Sequence, residues 1–415
     1  MRHTLYGGWL ALTAALSVGG PSPAQAQDLA ALRPDGLLAR GQVDGSYSVP
    51  GLPAENVPIP TGNPGQHGFY TFGEFVYLTS TRSIGDQTVA YRGLVDSSGL
   101  VTGLPGTYIG SGQPALTTDQ LGRNSYAPGY RIGIGYKLDN GVSVWASFTQ
   151  TMDQTYSASA SLASPFFRSR ADLTDTFLVA GVYNFPPAYA GPDVKTQFDA
   201  DTNNPTGNFY GIWNGASEMV ISYTNRFTTA EAGARVPLFD TDYSRIYGLG
   251  GLRYAWFFER FRWRTVSTDI LGVAFPADVA NYTNTLSQRM YGPFFGCGHE
   301  VYLGKRFSVA LDLTGSALLN VVKQRAKYEL GDNSTQNKRS RNDFTVVPNA
   351  NADLNLMWYP IEGVQMRVGW TAQTYFNTRN MLNPIAFNYG AIDPVYNFQA
   401  FRLVQGLNVG IGLFF

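Results

Sequence analysis

The end of the chain alternates so regularly that it leaves few folds open. In Leu407-Asn-Val409-Gly-Ile411-Gly-Leu413-Phe-Phe415 every odd position is large and apolar, and the even positions are Asn408, Gly410, Gly412 and Phe414. A period of two puts the odd side chains on one face of a strand. That face is apolar and the other is small and mostly polar. A soluble sheet seldom stops on an exposed aromatic. A strand that closes a barrel in lipid can, because its outer face meets acyl chains and its inner face meets water. Val409, Ile411, Leu413 and Phe415 are therefore read as an insertion signal, and they resemble the terminal signal of bacterial outer-membrane barrels.

The other end agrees. Met1-Arg-His opens a basic segment, Leu5 to Val18 is mostly apolar, and Ala24-Gln-Ala26 has the form of a cleavage site. Together they predict a secretory signal peptide over 1–26, cleaved after Ala26. Beyond it no run of eighteen apolar residues occurs, so membrane-spanning helices are not expected. Charged residues make up only 14% of the chain and aromatics another 14%, against roughly 25% charged in soluble globular proteins. A chain that crosses lipid without helices must close into a barrel, since each backbone polar group needs a partner. The net charge of zero implies no polyanionic partner and no nucleic acid. The lone Cys297 rules out an intrachain disulfide and reads as a small strand residue.

Residues 27–68 carry Pro50, Pro53, Pro58, Pro60 and Pro64 without periodicity, and read as a flexible segment. The barrel is expected over 69–415. Ten alternating segments are predicted: 69–80, 126–138, 142–150, 217–236, 245–262, 286–303, 307–327, 344–359, 364–376 and 398–415. The second and third are joined by Asp139-Asn140-Gly141, a hairpin signal. Short connections alternate with long ones at 81–125, 151–216, 263–285, 328–343 and 377–397, the asymmetry of an outer-membrane barrel. The segment 173–183 adds either a strand or a loop hairpin, so twelve strands is the alternative to ten. The fold class is thus all-β, a transmembrane antiparallel up-and-down barrel.

Alternation also assigns faces. Ala350, Ala352, Leu354, Leu356 and Trp358 oppose Asn349, Asn351, Asp353 and Asn355. Val364, Met366, Val368 and Trp370 oppose Gln365, Arg367 and Thr371. A polar minor face implies a wet lumen; a soluble sandwich would invert it, and the two chain ends favour the membrane. Tyr254, Trp256, Trp358, Trp370 and Phe401 are candidates for interfacial girdles. The charges sent inward are Glu231, Arg235, Arg253, Glu259, Asp312, Asp353 and Arg367, a small acidic excess that would set ion preference in a channel. Paired across strands, as Arg235–Glu259 or Arg253–Glu231, they would instead stiffen the wall or plug it.

Catalytic chemistry is scarce. After processing only His67 and His299 remain, and His299 reads as a structural or lumen residue. There is no G-x-S-x-G, C-x-x-C, H-E-x-x-H or Walker A, and Gly133-Ile-Gly135 lies inside a strand pattern, marking a bend or close backbone approach. Asp199-Ala-Asp201-Thr-Asn203 begins like a calcium loop but has Asn204 at position six and Tyr210 at position twelve, and reads as a solvated loop. No enzyme, cofactor or metal is expected.

Ser164-Pro-Phe-Phe167, Ala230-Glu231-Ala-Gly233-Ala-Arg235, Gly250-Gly-Leu-Arg253-Tyr254 with Glu259, and the block from Trp358-Tyr-Pro360 to Trp370 and Phe415 resemble landmarks of one family. It is the pore-forming outer-membrane barrel family named after a Legionella major outer-membrane protein, with its planctomycete-type branch. The resemblance spans most of 69–415 and implies an outer-membrane barrel of pore function. The expected role is a passive, porin-like pore for small polar solutes and ions. The rival is a structural or adhesive surface barrel with a plugged lumen. Expected partners are outer-membrane lipid, the barrel-assembly machinery and the small solutes or ions themselves; the sequence assigns no oligomeric state.

Overall fold

The computed structural model describes residues 68–96, 102–104, 107–161, 178–180, 212–213, 216–241, 243–267, 274–304, 306–334, 336–361, 363–385 and 399–415. The expected signal peptide, the segment 27–68 up to Gly68, His67, the Ser164–Phe167 motif and the Asp199–Asn203 loop lie outside them.

Fourteen strands are described: β1 Gly68–Ser80, β2 Thr88–Asp96, β3 Thr107–Thr117, β4 Ala127–Lys137, β5 Ser143–Thr151, β6 Gln154–Ser161, β7 Leu178–Ala180, β8 Glu218–Asp240, β9 Ser244–Val266, β10 Val279–Gly304, β11 Phe307–Leu330, β12 Gln336–Trp358, β13 Val364–Arg379 and β14 Gln399–Phe414. Ten of them close an antiparallel ring in the order β1-β4-β5-β8-β9-β10-β11-β12-β13-β14, with β14 returning to β1. The ten-strand reading therefore holds, and the segment 173–183 supplies only β7, which joins β2 and β3 in a separate small sheet.

β6 continues β5 along β8. Gln150 faces Thr228 and Gln154 faces Asn225, so one extra residue is inserted on the β5–β6 side. The β4–β5 turn forms where Asp139-Asn140-Gly141 predicts it, with Gly141 at φ +82°. Gly133 and Gly135 make room for rings on β1. A Cβ on either would lie 2.2 Å from the ring of Phe72 or Tyr70.

The wall is uneven. β8 to β12 are 23 to 26 residues long, while β1, β4 and β5 have 13, 11 and 9. A barrel strand crosses a bilayer in about 9–11 residues. Strands therefore continue where long loops were expected: 263–285 shrinks to 267–278, and 328–343 to 331–335.

The long strands show why. Along β9 the outward side chains run Leu252, Tyr254, Trp256, Phe258, then Arg260, Arg262 and Arg264, while the inward ones run Arg253, Ala255, Phe257, Glu259, Phe261 and Trp263. The polar face switches sides near residue 259. β10 and β11 switch likewise, near Met290 and Val321. Below the switch the exterior is apolar and suits lipid; above it the exterior is polar and the interior is packed like a soluble core. Leu354, Leu356, Trp358, Val409, Ile411, Leu413 and Phe415 are all exposed on the lower exterior. Trp370 lies mid-strand between Leu354 and Leu407, so it belongs to the lipid belt and not to a girdle.

Candidate functional site

The lumen is built in layers. At the short-turn end a cavity of about 470 Å³ opens beside Phe415 and the turn residues Gly141 and Gly363. Its wall holds six of the predicted lumen charges: Glu231, Arg235, Arg253, Asp312, Asp353 and Arg367. It also holds charges that the sequence assignment of faces missed, namely Arg131, Lys137, Arg245 and Glu300, with Glu74 behind them. The same alternation would have found Glu74 and Arg131, had it been followed along β1 and β4. The lining cations then slightly outnumber the carboxylates, so the acidic excess expected from sequence is not present.

These charges are bonded to one another. The Arg253 guanidinium donates to Glu231 Oε1 at 2.7 Å, to Asn349 Oδ1 at 2.7 Å and to Thr314 Oγ1 at 2.9 Å. Arg131 and Arg367 both pair with the buried Glu74. Arg235 lies 3.5 Å from Asp312, which also accepts from the Tyr247 hydroxyl at 2.5 Å. Of the two pairings considered from sequence, Arg253–Glu231 forms and Arg235–Glu259 does not, because Glu259 sits in a higher layer.

Above the cavity the lumen turns apolar. Val76, Leu78, Phe227, Ala255, Phe257, Met290, Leu318, Val347, Tyr375 and Val404 form one buried cluster contributed by eight of the ten barrel strands. Phe227 on β8 and Tyr375 on β13 stand on opposite walls of the ring, yet their ring centroids are 6.2 Å apart. Phe257 fills the remaining gap, 4.8 Å from Phe227 and 5.1 Å from Tyr375. These rings span the bore from β8 and β9 to β13 as a septum.

On the far side of the septum lies Glu259, 3% exposed. Its partner is Arg402 on the opposite wall, in a two-pronged contact at 2.6 and 2.8 Å. Tyr223 and Ser83 donate to the same carboxylate at 2.7 and 2.5 Å. Ser83 reaches it from the β1–β2 connection, which folds into the barrel. Higher still, Phe261, Trp263, Tyr282 and Tyr328 pack against Ile84, Leu116, Leu178 and Trp213 from the connecting segments. Trp213 and Trp263 meet edge to face at 4.3 Å.

His299 is the only histidine among the described residues, and it points out of the barrel, opposite Ile246 and Leu311. It is neither a lumen group nor placed beside a nucleophile; its neighbour Glu300 points in and accepts from Ser308 at 2.8 Å. Cys297 is likewise on the exterior. Among the described residues no group of three His, Cys, Asp or Glu side chains is set to hold a metal.

Fold and lumen together define a class, a ten-stranded transmembrane β-barrel with a vestibule at its short-turn end and a packed opposite half. No family model matches the chain, and no curated protein matches its sequence. Solved structures similar to it are barrels. The outer-membrane protease OmpT from Escherichia coli is 11% identical, with 89% of this chain and 100% of that one covered and a TM-score of 0.38. Ail, the attachment invasion locus protein of Yersinia pestis, is 9% identical over 84% and 99%, with a TM-score of 0.21. A Pseudomonas aeruginosa FadL homologue is 8% identical over 89% and 95%, with a TM-score of 0.24. Likeness at this level carries no argument about function.

Proposed function

We propose that this chain is an outer-membrane barrel that works as a closed structural or adhesive surface protein and not as a through-channel. The observation that carries this reading is the contact of Phe227 with Tyr375 across the lumen, backed by the Glu259–Arg402 bridge above it. A ten-strand barrel is narrow enough for side chains to fill. No catalytic role is part of the proposal. The short turns and Phe415 lie on the periplasmic side, and the packed half with β2, β3 and β7 faces outward. The Legionella-type resemblance is proposed for the barrel alone and not for the pore role it implies: its motifs 230–235 and 250–254 lie on paired strands, and their Glu231 and Arg253 are register partners.

In planar bilayers the folded protein should give no stepwise conductance. A Phe227→Ala, Phe257→Ala, Tyr375→Ala variant should conduct. Open-channel steps from the unaltered protein would return the passive pore to first place. The insertion signal is a second part of the proposal. Phe415 donates its backbone N–H to Phe69 O at 2.8 Å and leaves its ring exposed. Deleting it should lower the heat-modifiable, membrane-assembled fraction by impairing recognition by the assembly machinery. Unchanged assembly would remove that role.

A further inference from the structure

Thirty cations and thirty carboxylates cancel over the whole chain, but they are not mixed in space. Above the polarity switch, the exterior of β9 presents Arg260, Arg262 and Arg264. That of β11 presents Lys323, Arg325 and Lys327, with Arg289 on β10 and Lys338 on β12. The strand register joins them into rows. Arg260 faces Thr285, which faces Arg325; Arg262 faces Thr283, which faces Lys327, which faces Lys338. The one carboxylate at the outward positions of this band, among the described residues, is Glu329, and Lys327 takes it. Next to the band, among the described residues, cations are absent from the upper wall: the outward positions of β6 and upper β8 are Thr155, Ser157, Ser159, Val220, Ser222 and Thr224, with the carboxylate Glu218 at the far end opposite Val266.

Depth identifies the occupant. On three strands a cation stands two residues beyond the last apolar outward side chain: Arg260 after Phe258, Arg289 after Tyr291, Lys323 after Val321. Two residues span about 7 Å of strand, which matches the roughly 5–8 Å of headgroup layer on each side of a hydrocarbon core. The cations continue for two more outward positions, past the depth of a simple phospholipid headgroup. Between them stand Thr283, Thr285, Ser287 and Ser340, which suit sugar hydroxyls. We propose that this face binds a multiply phosphorylated glycolipid of the outer leaflet, its acyl chains on the belt below and its phosphates on these rows. The inference rests on the outer-membrane reading above.

The test uses the folded protein in zwitterionic detergent, titrated with a bisphosphorylated diglucosamine lipid and with the same lipid after dephosphorylation. The phosphorylated form should bind and raise the unfolding temperature, and the other should not. Arg262→Gln, Lys323→Gln, Arg325→Gln and Lys338→Gln combined should weaken binding by more than about a hundredfold, at roughly fivefold per cation. The corresponding Arg262→Lys, Arg325→Lys variant should keep most of it and controls for folding. Equal binding of both lipids, or no loss in the Gln variant, would overturn the proposal. A heparin fragment binding as tightly would overturn it in favour of a soluble polyanion. Insertion into phosphatidylcholine vesicles, scored by protease protection, tests the membrane reading separately. A barrel that inserts but ignores the phosphates overturns this inference alone.

Discussion

The two halves of the lumen solve the same problem in opposite ways. In the vestibule, the carboxylates Glu231 and Asp312 stay 18% and 20% exposed on an open cavity, even though Arg253 behind Glu231 is itself buried. Beyond the septum, Glu259 and Arg402 hold the same kind of contact with side chains only 4% and 2% exposed. Wet charges can be held singly and loosely; dry ones need every lone pair and proton met. The difference shows in the partners. Glu259 receives Arg402, Tyr223 and Ser83, and Arg402 adds Thr378 Oγ1 at 3.1 Å and Arg379 O at 2.6 Å. The barrel thus carries a solvent-facing basin at one end and a protein-like core at the other.

That contrast predicts a graded series of ion-pair mutations. The largest effect belongs to the dry pair. Arg402→Met strands the Glu259 carboxylate and should cost about 3–5 kcal/mol, read as the denaturant midpoint of the barrel in detergent. Arg402→Met with Glu259→Leu should regain much of that loss, because two apolar groups leave no buried charge. If the single variant costs under 1 kcal/mol, water reaches that layer and the comparison fails.

The middle case sharpens the boundary. Glu231→Gln weakens one of the three contacts of Arg253 while leaving Asn349 and Thr314 in place. Loss of one charged hydrogen bond is worth roughly 1.5–3 kcal/mol, and cavity water should hold the cost to the low end. A cost equal to that of Arg402→Met would mean that the vestibule is as dry as the outer half.

Much of the lower barrel was legible because one rule governs it. Lipid outside and water inside make polarity follow position parity, so Leu354 and Asp353, or Met366 and Arg367, declare their faces. The upper half obeys a different rule. There water is outside and the core is inside, and the parity of polar residues flips within a single strand, between Arg253 and Arg260 on β9. Read with one rule, the segments beyond 262 and before 286 lose their pattern and pass for loops. The change of phase was visible in Arg260-Phe-Arg262-Trp-Arg264, but only a reader allowing two environments on one strand would use it. Closure was harder to see. That Phe227 would meet Tyr375 depends on ring order, which places β8 opposite β13, and on the bore of ten strands. Net charge misled for a related reason: a sum of zero says nothing of where the cations stand.

The smallest effect is expected at the seam between β5 and β6, where the lipid belt ends. Arg226 holds Asp153 there in a two-pronged contact, with Nη2 to Oδ2 at 2.6 Å, and both side chains remain well exposed at 30% and 44%. Its guanidinium lies 5.7 Å from the Trp256 ring, so that ring helps to position it. Solvent screening should keep Asp153→Asn below about 1 kcal/mol at neutral pH. The hydrogen bond from Arg226 holds the Asp153 carboxyl below the usual range. Its contribution is therefore complete above the unfolded-chain value of about 3.9 and is lost as pH falls through the lower folded value. The difference in unfolding temperature between the native chain and Asp153→Asn should be small and constant from pH 5 to 8 by that linkage, and should shrink as pH falls below about 3.9. It should also shrink in about 1 M salt, where the screening length is near 3 Å. A difference that does not shrink on acidification or in salt would show that Asp153 acts through packing at the bulge and not through its charge.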